Sequence, residues 1–480
     1  VVFNFETMSF RIIFLFLFPV SIFAQDSYFE KIYGTAGDDI SRSVKQLASG
    51  SIFVLGNSSS GTIGMEDISV TKLDNDGNEL WTIYYGTVNT ENAFFLNITA
   101  DGNFVFVAES ETASNNLDIL MYKIDTAGGI IWNKSYVSPV NETPRYIEQT
   151  NDGGYILCGT QNDLVGFNDI LVVKLDSNGD YIWHTTYGRD DNEYSDMIHQ
   201  IGTDYILTAD TKSYGAGGYD VILYRLDSLG NEIWSQTYGD TLQNGCQGLL
   251  VVSDGNFLSY GETEIYPASP YDFYLEKVDT NGGSIWRYLY GGAGSDAIFS
   301  VKEDTDGGFI CTGYSNSYNG LAPIDLVIMK VDSNGIFQWK QTYGSPGIDV
   351  GYEIIKATDN NGFIITGQTY TTSTEYYLLK LDQNGLIIDV PSAENEIFVS
   401  EAYPNPASTE VWIRYNLIAD KNPVLALYDV FGKKIREEKI QTSPGMIKID
   451  VSQMNSGIYF YAVKTEGRMS SVKKLIVTSK

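Results

Sequence analysis

The sequence predicts an all-β protein, a seven-bladed β-propeller followed by a small Ig-like β-sandwich, and three observations lead there. An Asp, a Gly three residues on and a Trp four further recur along most of the chain. The segments between recurrences read as short strands separated by Gly/Asp/Asn turns, with no helical periodicity between them. The pattern stops near Asp389, where lysine becomes common. A period near fifty residues with four strands per unit is the pattern of a propeller blade.

The first element is a leader. "MSFRIIFLFLFPVSIFAQDS" begins at Met8, with Arg11 as a short positive region, an apolar run from Ile12 to Phe23, and Ala24-Gln25 as a cleavage point. The run is too short to span a bilayer, so residues 8–24 are expected to be a secretory signal peptide, with 1–7 an artefact of start-site choice. No later segment is long and apolar enough to form a transmembrane helix.

Residues 25–391 are expected to form the propeller. The Asp recurs at Asp74, Asp125, Asp176, Asp227, Asp279, Asp332 and Asp382, and the Gly at Gly77, Gly128, Gly179, Gly230, Gly282, Gly335 and Gly385. The Trp recurs at Trp81, Trp132, Trp183, Trp234, Trp286 and Trp339, at spacings of 51, 51, 51, 52 and 53 residues. The Asp and Gly are expected to build the turn between third and fourth strands, and the Trp to pack between adjacent blades. The third strands, such as "DILVVKLD" (Asp169–Asp176), are apolar on both faces, as a strand covered from both sides must be. The seventh unit lacks its Trp, and "FEKIYG" (Phe29–Gly34) matches the missing piece with Phe29 in the Trp place. The N-terminal strand should therefore complete the seventh blade, and ring closure removes an exposed sheet edge.

Three further positions recur with charge. A basic residue lies two before the Asp (Lys72, Lys123, Lys174, Arg225, Lys277, Lys330, Lys380) and an acid seven before it (Asp67, Asp118, Asp169, Asp220, Asp272, Asp325, Glu375). A charge repeated on every blade is expected to be paired with a neighbour or a backbone amide. The third set, Asp39, Glu91, Glu142, Glu193, Asn244, Asp296 and Asp349, follows each inter-blade crossing and should sit at one rim of the channel. Such a ring could attract a cation, calcium included, or accept hydrogen bonds from the crossing loops. The loops between second and third strands share that face, and their Tyr214, Tyr219, Tyr266, Tyr271, Tyr314, Tyr318 and Tyr370 suit a glycan or protein surface.

Several chemistries find no support. The formal net charge of −30 argues against a nucleic-acid partner. His184 and His199 have no metal-ligand spacing, and Cys158, Cys246 and Cys311, one in each of three units, match no metal or redox motif. No metal site, catalytic residue or cofactor other than the calcium option is assigned.

Residues 392–401 read as a linker and 402–480 as the sandwich. From Ser400 on there are 12 Lys/Arg against 8 Asp/Glu, a net of +4, which leaves −34 on the rest. Its carriers are Tyr403-Pro404-Asn405-Pro406, Leu427-Tyr428-Asp429-Val430 with Gly432-Lys433, Ser456-Gly457-Ile458-Tyr459 and Lys473-Lys474-Leu475-Ile476-Val477. At this spacing the module closely resembles the type A C-terminal sorting domain of the type IX secretion system of Bacteroidetes. The resemblance implies export across the outer membrane, with the translocon and sorting machinery as partners, and release or attachment at the cell surface. The repeats resemble uncharacterised secreted propellers found before such domains. Their Asp-Gly-Trp spacing is also similar to the tryptophan-docking repeat of quinoprotein dehydrogenases, which implies the propeller fold only. The expectation is a secreted or surface-attached binding module for glycan, protein or matrix. A polysaccharide hydrolase or lyase and a purely structural surface protein are the alternatives.

Overall fold

The computed structural model describes residues 28–35, 37–60, 64–111, 116–162, 166–265, 269–317, 324–345, 347–359, 362–370, 373–387, 398–399, 402, 405–416, 423–440, 445–465, 468–470 and 472–478. The leader expected at 8–24 lies outside them. The described residues form strands and turns with no helix. Seven antiparallel four-stranded sheets make the blades, and each innermost strand lies beside the innermost strands of the blades before and after it. These strands are Asp39–Gln46, Glu91–Ile98, Glu142–Gln149, Glu193–Ile201, Asn244–Val251, Asp296–Glu303 and Asp349–Lys356. The last neighbours the first, so the sheets stand in a closed ring around a central channel.

The apolar core lies in the seams between blades. One seam cluster joins Phe53, Leu55 and Val70 of blade 1 to Leu96, Phe104 and Phe106 of blade 2. Third strands are enclosed on both faces, and Asp325–Val331 is buried along its whole length. The outermost strands alternate between exposed and half-buried positions.

The recurrent motif is a clasp between blades. Oδ1 of each turn Asp accepts the backbone N–H groups two and four residues on, at 2.7–2.9 Å, in all seven blades. The turn Gly has positive φ, +76° at Gly179, which a side chain tolerates poorly. Its Cα face receives the aromatic ring of the preceding blade: Phe29 at Gly77, Trp81 at Gly128, Trp132 at Gly179, Trp183 at Gly230, Trp234 at Gly282, Trp286 at Gly335 and Trp339 at Gly385. The Tyr of the Tyr-Gly pair donates its hydroxyl to the same glycine's carbonyl, as Tyr85 does to Gly128 at 2.8 Å and Tyr343 to Gly385 at 2.6 Å. The six indoles are only half buried, so each contributes less than a core tryptophan would.

The ring closes through the N-terminal strand. Phe29–Tyr33 pairs antiparallel with Thr374–Leu381 as the outer strand of blade 7, and Phe29 is 8% exposed in the seam with blade 1. Glu353 of blade 7 adds a polar bolt on the channel side. Its Oε2 accepts Val44 N–H and Ser43 Oγ at 2.7 Å, and its Oε1 pairs with Lys45 at 2.6 Å.

The C-terminal module is a two-sheet sandwich. Phe398–Val399, Glu410–Asn416 and Gly445–Asp450 form one sheet. Lys434–Lys439, Val424–Tyr428, Gly457–Thr465, Arg468–Met469 and Lys473–Val477 form the other. Val399, Val411, Ile413 and Ile449 meet Leu425, Leu427, Val463 and Leu475 in its core. This corrects the expected linker at 392–401. Phe398 and Val399 pair with Asn416 and Tyr415 at the edge of the sandwich sheet, and Val399 is buried in its core.

Candidate functional site

Every innermost strand carries a β-bulge at the same place. The register shifts lie between Ser41/Ser43, Ala93/Phe95, Pro144/Tyr146, Ser195/Met197, Cys246/Gly248, Ile298/Ser300 and Gly351/Glu353. A strand otherwise turns its side chains alternately toward the two flanking blades, and an inserted residue escapes that alternation. The inserted residues are Arg42, Phe94, Arg145, Asp196, Gln247, Phe299 and Tyr352, one per blade. All seven line a single cavity of about 230 Å³ in the channel, together with Phe95, Met197, Ser300, Lys302 and Glu353.

Aromatic and charged groups share this lining. The Arg42 guanidinium lies 5.2 Å from the centre of the Tyr352 ring, and Phe299 lies 5.6 Å from Tyr352 and 5.9 Å from Tyr314. Lys45 approaches Phe95 to 4.5 Å. Arg145 reaches Asp196 at 3.7 Å, with the Arg side chain 44% exposed and the Asp 3%. Burial pushes Asp196 above the usual carboxylate range against the pull of Arg145, and its Oδ2 has no hydrogen-bond partner among the described residues. Deeper in the same strand His199 Nδ1 meets Glu148 at 2.8 Å and Nε2 meets the Leu249 carbonyl at 3.1 Å. His184 contacts Tyr181 on an outer strand.

The acids expected at the channel rim are buried and do not line this cavity. They hold the crossing loops through bonds from the residue four positions earlier: Thr35 N–H to Asp39 at 2.7 Å, Thr87 N–H to Glu91 at 3.1 Å, Arg189 N–H to Glu193 at 3.4 Å, Gly292 N–H to Asp296 at 3.0 Å and Ser345 N–H to Asp349 at 2.8 Å. Ser138 donates its hydroxyl to Glu142, and Asn244 binds Asp240 at 3.3 Å. Around the crossing glycine each acid faces the strand-three acid of the preceding blade, as Asp67 and Glu91 do at Gly86 and Asp325 and Asp349 at Gly344. Burial, with repulsion from its pair mate, lifts Glu142 and Asp325 to about 7. Six of the repeated basic residues reach the hairpin between first and second strands, as Lys123 pairs with Asp101 at 2.7 Å, Lys174 with Asp152 at 3.0 Å and Lys277 with Asp254 at 2.6 Å, while Lys72 donates to the Thr126 carbonyl in the turn of the next blade at 3.1 Å.

The described loop tyrosines fall into more than one group. Tyr214 lies under Arg189 at 4.3 Å and Tyr219 beside Tyr194 at 5.9 Å, both in blade 4. Tyr314 extends the channel aromatics through Phe299 and interacts with half-buried Tyr271 of the preceding blade, and Tyr370 is 50% exposed. Tyr266 and Tyr318 lie outside the described residues. The bulge residues went unread in the sequence because they repeat in position and not in identity.

In the sandwich, separated motif pieces meet. Asn405 accepts Ile476 N–H at 2.8 Å and donates to the Lys474 carbonyl at 2.9 Å, so the first motif pins the last strand. Gly432 takes φ +77° in a turn where Asp429 accepts Phe431 and Lys433 N–H at 2.9 Å, the turn used by the blades. Gly457 pairs with Val477, Lys473 with Tyr461 and Lys474 with Phe460, and the Tyr459 hydroxyl donates to the Asn455 carbonyl at 2.7 Å. Pro406 follows Asn405 at the start of this clasp, and Tyr403 and Pro404 lie outside the described residues. Residues 401–478 match the protein family described as "Secretion system C-terminal sorting domain". The C-terminal module is a sorting domain. It marks the chain for export by the type IX system and implies interaction with that machinery.

Solved structures resemble the propeller. A polysaccharide lyase, an ulvan lyase bound to -[GlcA(1-4)Rha3S]-, matches at TM-score 0.50 and 10% identity, over 74% of this chain and 97% of that one. Drosophila Semaphorin 2a matches at TM-score 0.46 and 8% identity, over 95% of this chain and 100% of that one. A protein of unknown function from Dyadobacter fermentans matches at TM-score 0.43 and 11% identity, over 73% and 97%. At these identities the likeness concerns the fold. No curated protein matches the chain.

Proposed function

We propose that the chain is an exported β-propeller that binds a saccharide at its channel, and that the sorting domain delivers it to the cell surface or the medium. The observation that carries this reading is the ring of seven bulges, which brings seven non-repeating side chains into one cavity. A fold needs no such variety there. The recurrent residues hold the blades together, while the inserted ones turn toward the channel, where they can meet a ligand, although Phe94 also packs on the seam between blades 2 and 3. Phe94, Phe299 and Tyr352 offer ring faces, and Arg42, Arg145 and Gln247 offer hydrogen-bond donors, the mixture that sugar rings with apolar faces and polar rims require.

A glycan array probed with the exported chain tests this. Binding that is lost in a Phe299→Ala/Tyr352→Ala double variant with an unchanged melting temperature is the expected result. Binding that survives in the variant would place the ligand elsewhere. The enzymatic reading, cleavage of a polysaccharide, has one comparison in its favour: the similar ulvan lyase structure carries a bound saccharide. Released oligosaccharide in the same assay would select it over the binding module. Partition of the cleaved chain between medium and outer-membrane surface decides between release and attachment.

A further inference from the structure

We infer that the group the cavity takes is an anion, the carboxylate or sulfate of a single acidic sugar unit; this rests on the saccharide reading above. The argument starts from charge. The chain carries −30 in total, and the part before Ser400 carries −34, yet Arg42, Arg145 and Lys302 converge on one small cavity. Its two carboxylates do not cancel them. Glu353 is already neutralised by Lys45 at 2.6 Å. Asp196 faces Arg145 alone, and loosely, at 3.7 Å. Arg145 also acts on the buried acids Glu109 and Asp210 behind it, so the excess of positive charge in the lining rests on Arg42 and Lys302, which form no ion pair among the described residues. Unpaired cations gathered in a low-dielectric recess hold an anion far better than cations on open surface.

Size and surroundings narrow the class. A cavity of about 230 Å³ has room for one sugar ring. The acidic exterior repels a densely charged polymer, so the occupant is a terminal unit or a sparse substituent. The Tyr352 and Phe299 rings, 5.6 Å apart, offer flat faces for the C–H side of that unit while Arg42 takes its acid group in a forked hydrogen bond. An acidic peptide would meet the cations as well but has no use for paired ring faces.

Calorimetry with the full exported chain tests the inference, using trigalacturonate, its methyl ester, a 6-sulfated galactotriose and triglutamate as probes. The acid should bind about tenfold or more tightly than its ester. The double variant Arg42→Gln/Lys302→Gln should erase that preference, while Lys134→Gln, the same kind of charge change on an outer strand, should leave it intact. Asp196→Asn, which removes the lining carboxylate that no lysine cancels, should tighten the acid further. Comparison of the uronate with the sulfate tells which anion is preferred, and binding of either over the ester supports the inference. Equal affinity for acid and ester would overturn it and leave the saccharide reading standing. Triglutamate binding as tightly as the sugars would overturn it in favour of a protein ligand. Silence toward every sugar, neutral ones included, would remove both.

Discussion

Glu142 illustrates what the repeated acids do. It sits fully buried at the head of its strand, bonded by Ser138 and facing Asp118 across the crossing, and its carboxyl is lifted to about 7. Asp325 is lifted to about 7 in the same way, by burial and by Asp349. Between the ordinary carboxylate range, about 4, and pH 7 the folded chain therefore holds protons that the unfolded chain has released. Folding stability from these groups is highest below that window and falls as pH rises through it. The lysine-paired acids act outside it: bonds from Thr150 and Lys174, against the cost of burial, hold Asp152 at about 2, so its contribution is lost only on stronger acidification. The melting temperature should thus be higher at about pH 5 than at about pH 8, and Glu142→Gln should remove part of the difference. A melting temperature that climbs toward pH 8 would show these carboxyls to be ionised and stabilising, for instance through a bound cation.

The clasp between blades sets the energetics at the scale of the element. An ideal Cβ on Gly179 would lie 2.9 Å from the Trp132 ring, and its φ of +76° disfavours any side chain. Gly102 has a similar φ of +78° but nothing within 4 Å of that point. Gly102→Ala should therefore cost about 1 kcal/mol from backbone strain alone, and Gly179→Ala about 1 kcal/mol more. Trp132→Ala, at a half-buried ring, should cost about 2 kcal/mol. Combined with Gly179→Ala it should cost less than the sum, because removing the ring removes the clash. Chemical denaturation of the four proteins measures this cycle, and strict additivity would mean that the ring does not press on the turn. Asp, Gly and the seam aromatic, Trp in six blades and Phe29 in the seventh, were legible in the sequence because each has one physical job in every blade. The inserted strand residue was not, because a bulge leaves no composition signal of its own. Its trace becomes visible once the repeats are aligned on the acids: three residues on, Arg, Phe, Arg, Asp, Gln, Phe and Tyr stand just after a position that is small or aliphatic in every repeat. The rim expectation failed to find the channel lining by those three residues. The repeated acid is drawn into the loop's N–H groups, and the strand reaches the channel only where its alternation breaks.

For the whole molecule, closure is what makes the ring one cooperative body. Without Phe29–Tyr33 the third strand of blade 7 becomes an open edge and the seam with blade 1 loses Phe29. Deleting Ser27 to Tyr33 should lower the melting temperature and broaden the calorimetric transition, since a nearest-neighbour array unzips from an unprotected end. An unchanged transition would mean that the polar bolt at Glu353 suffices to close the ring. Seven-fold repetition, the chain's acidity and the sorting motif were all legible at this scale. Which parts of the repeat serve the ring and which serve a ligand was not, and that division is the central claim. An alanine scan read simultaneously for melting temperature and for affinity toward the best-bound saccharide tests it most directly. Substitutions at Arg42, Arg145, Phe299 and Tyr352 should lower affinity with little loss of stability, while Trp132→Ala and Trp234→Ala lower stability and leave affinity intact. Affinity that instead depends on Tyr214, Tyr219 or Tyr370, and ignores the inserted residues, would contradict the account.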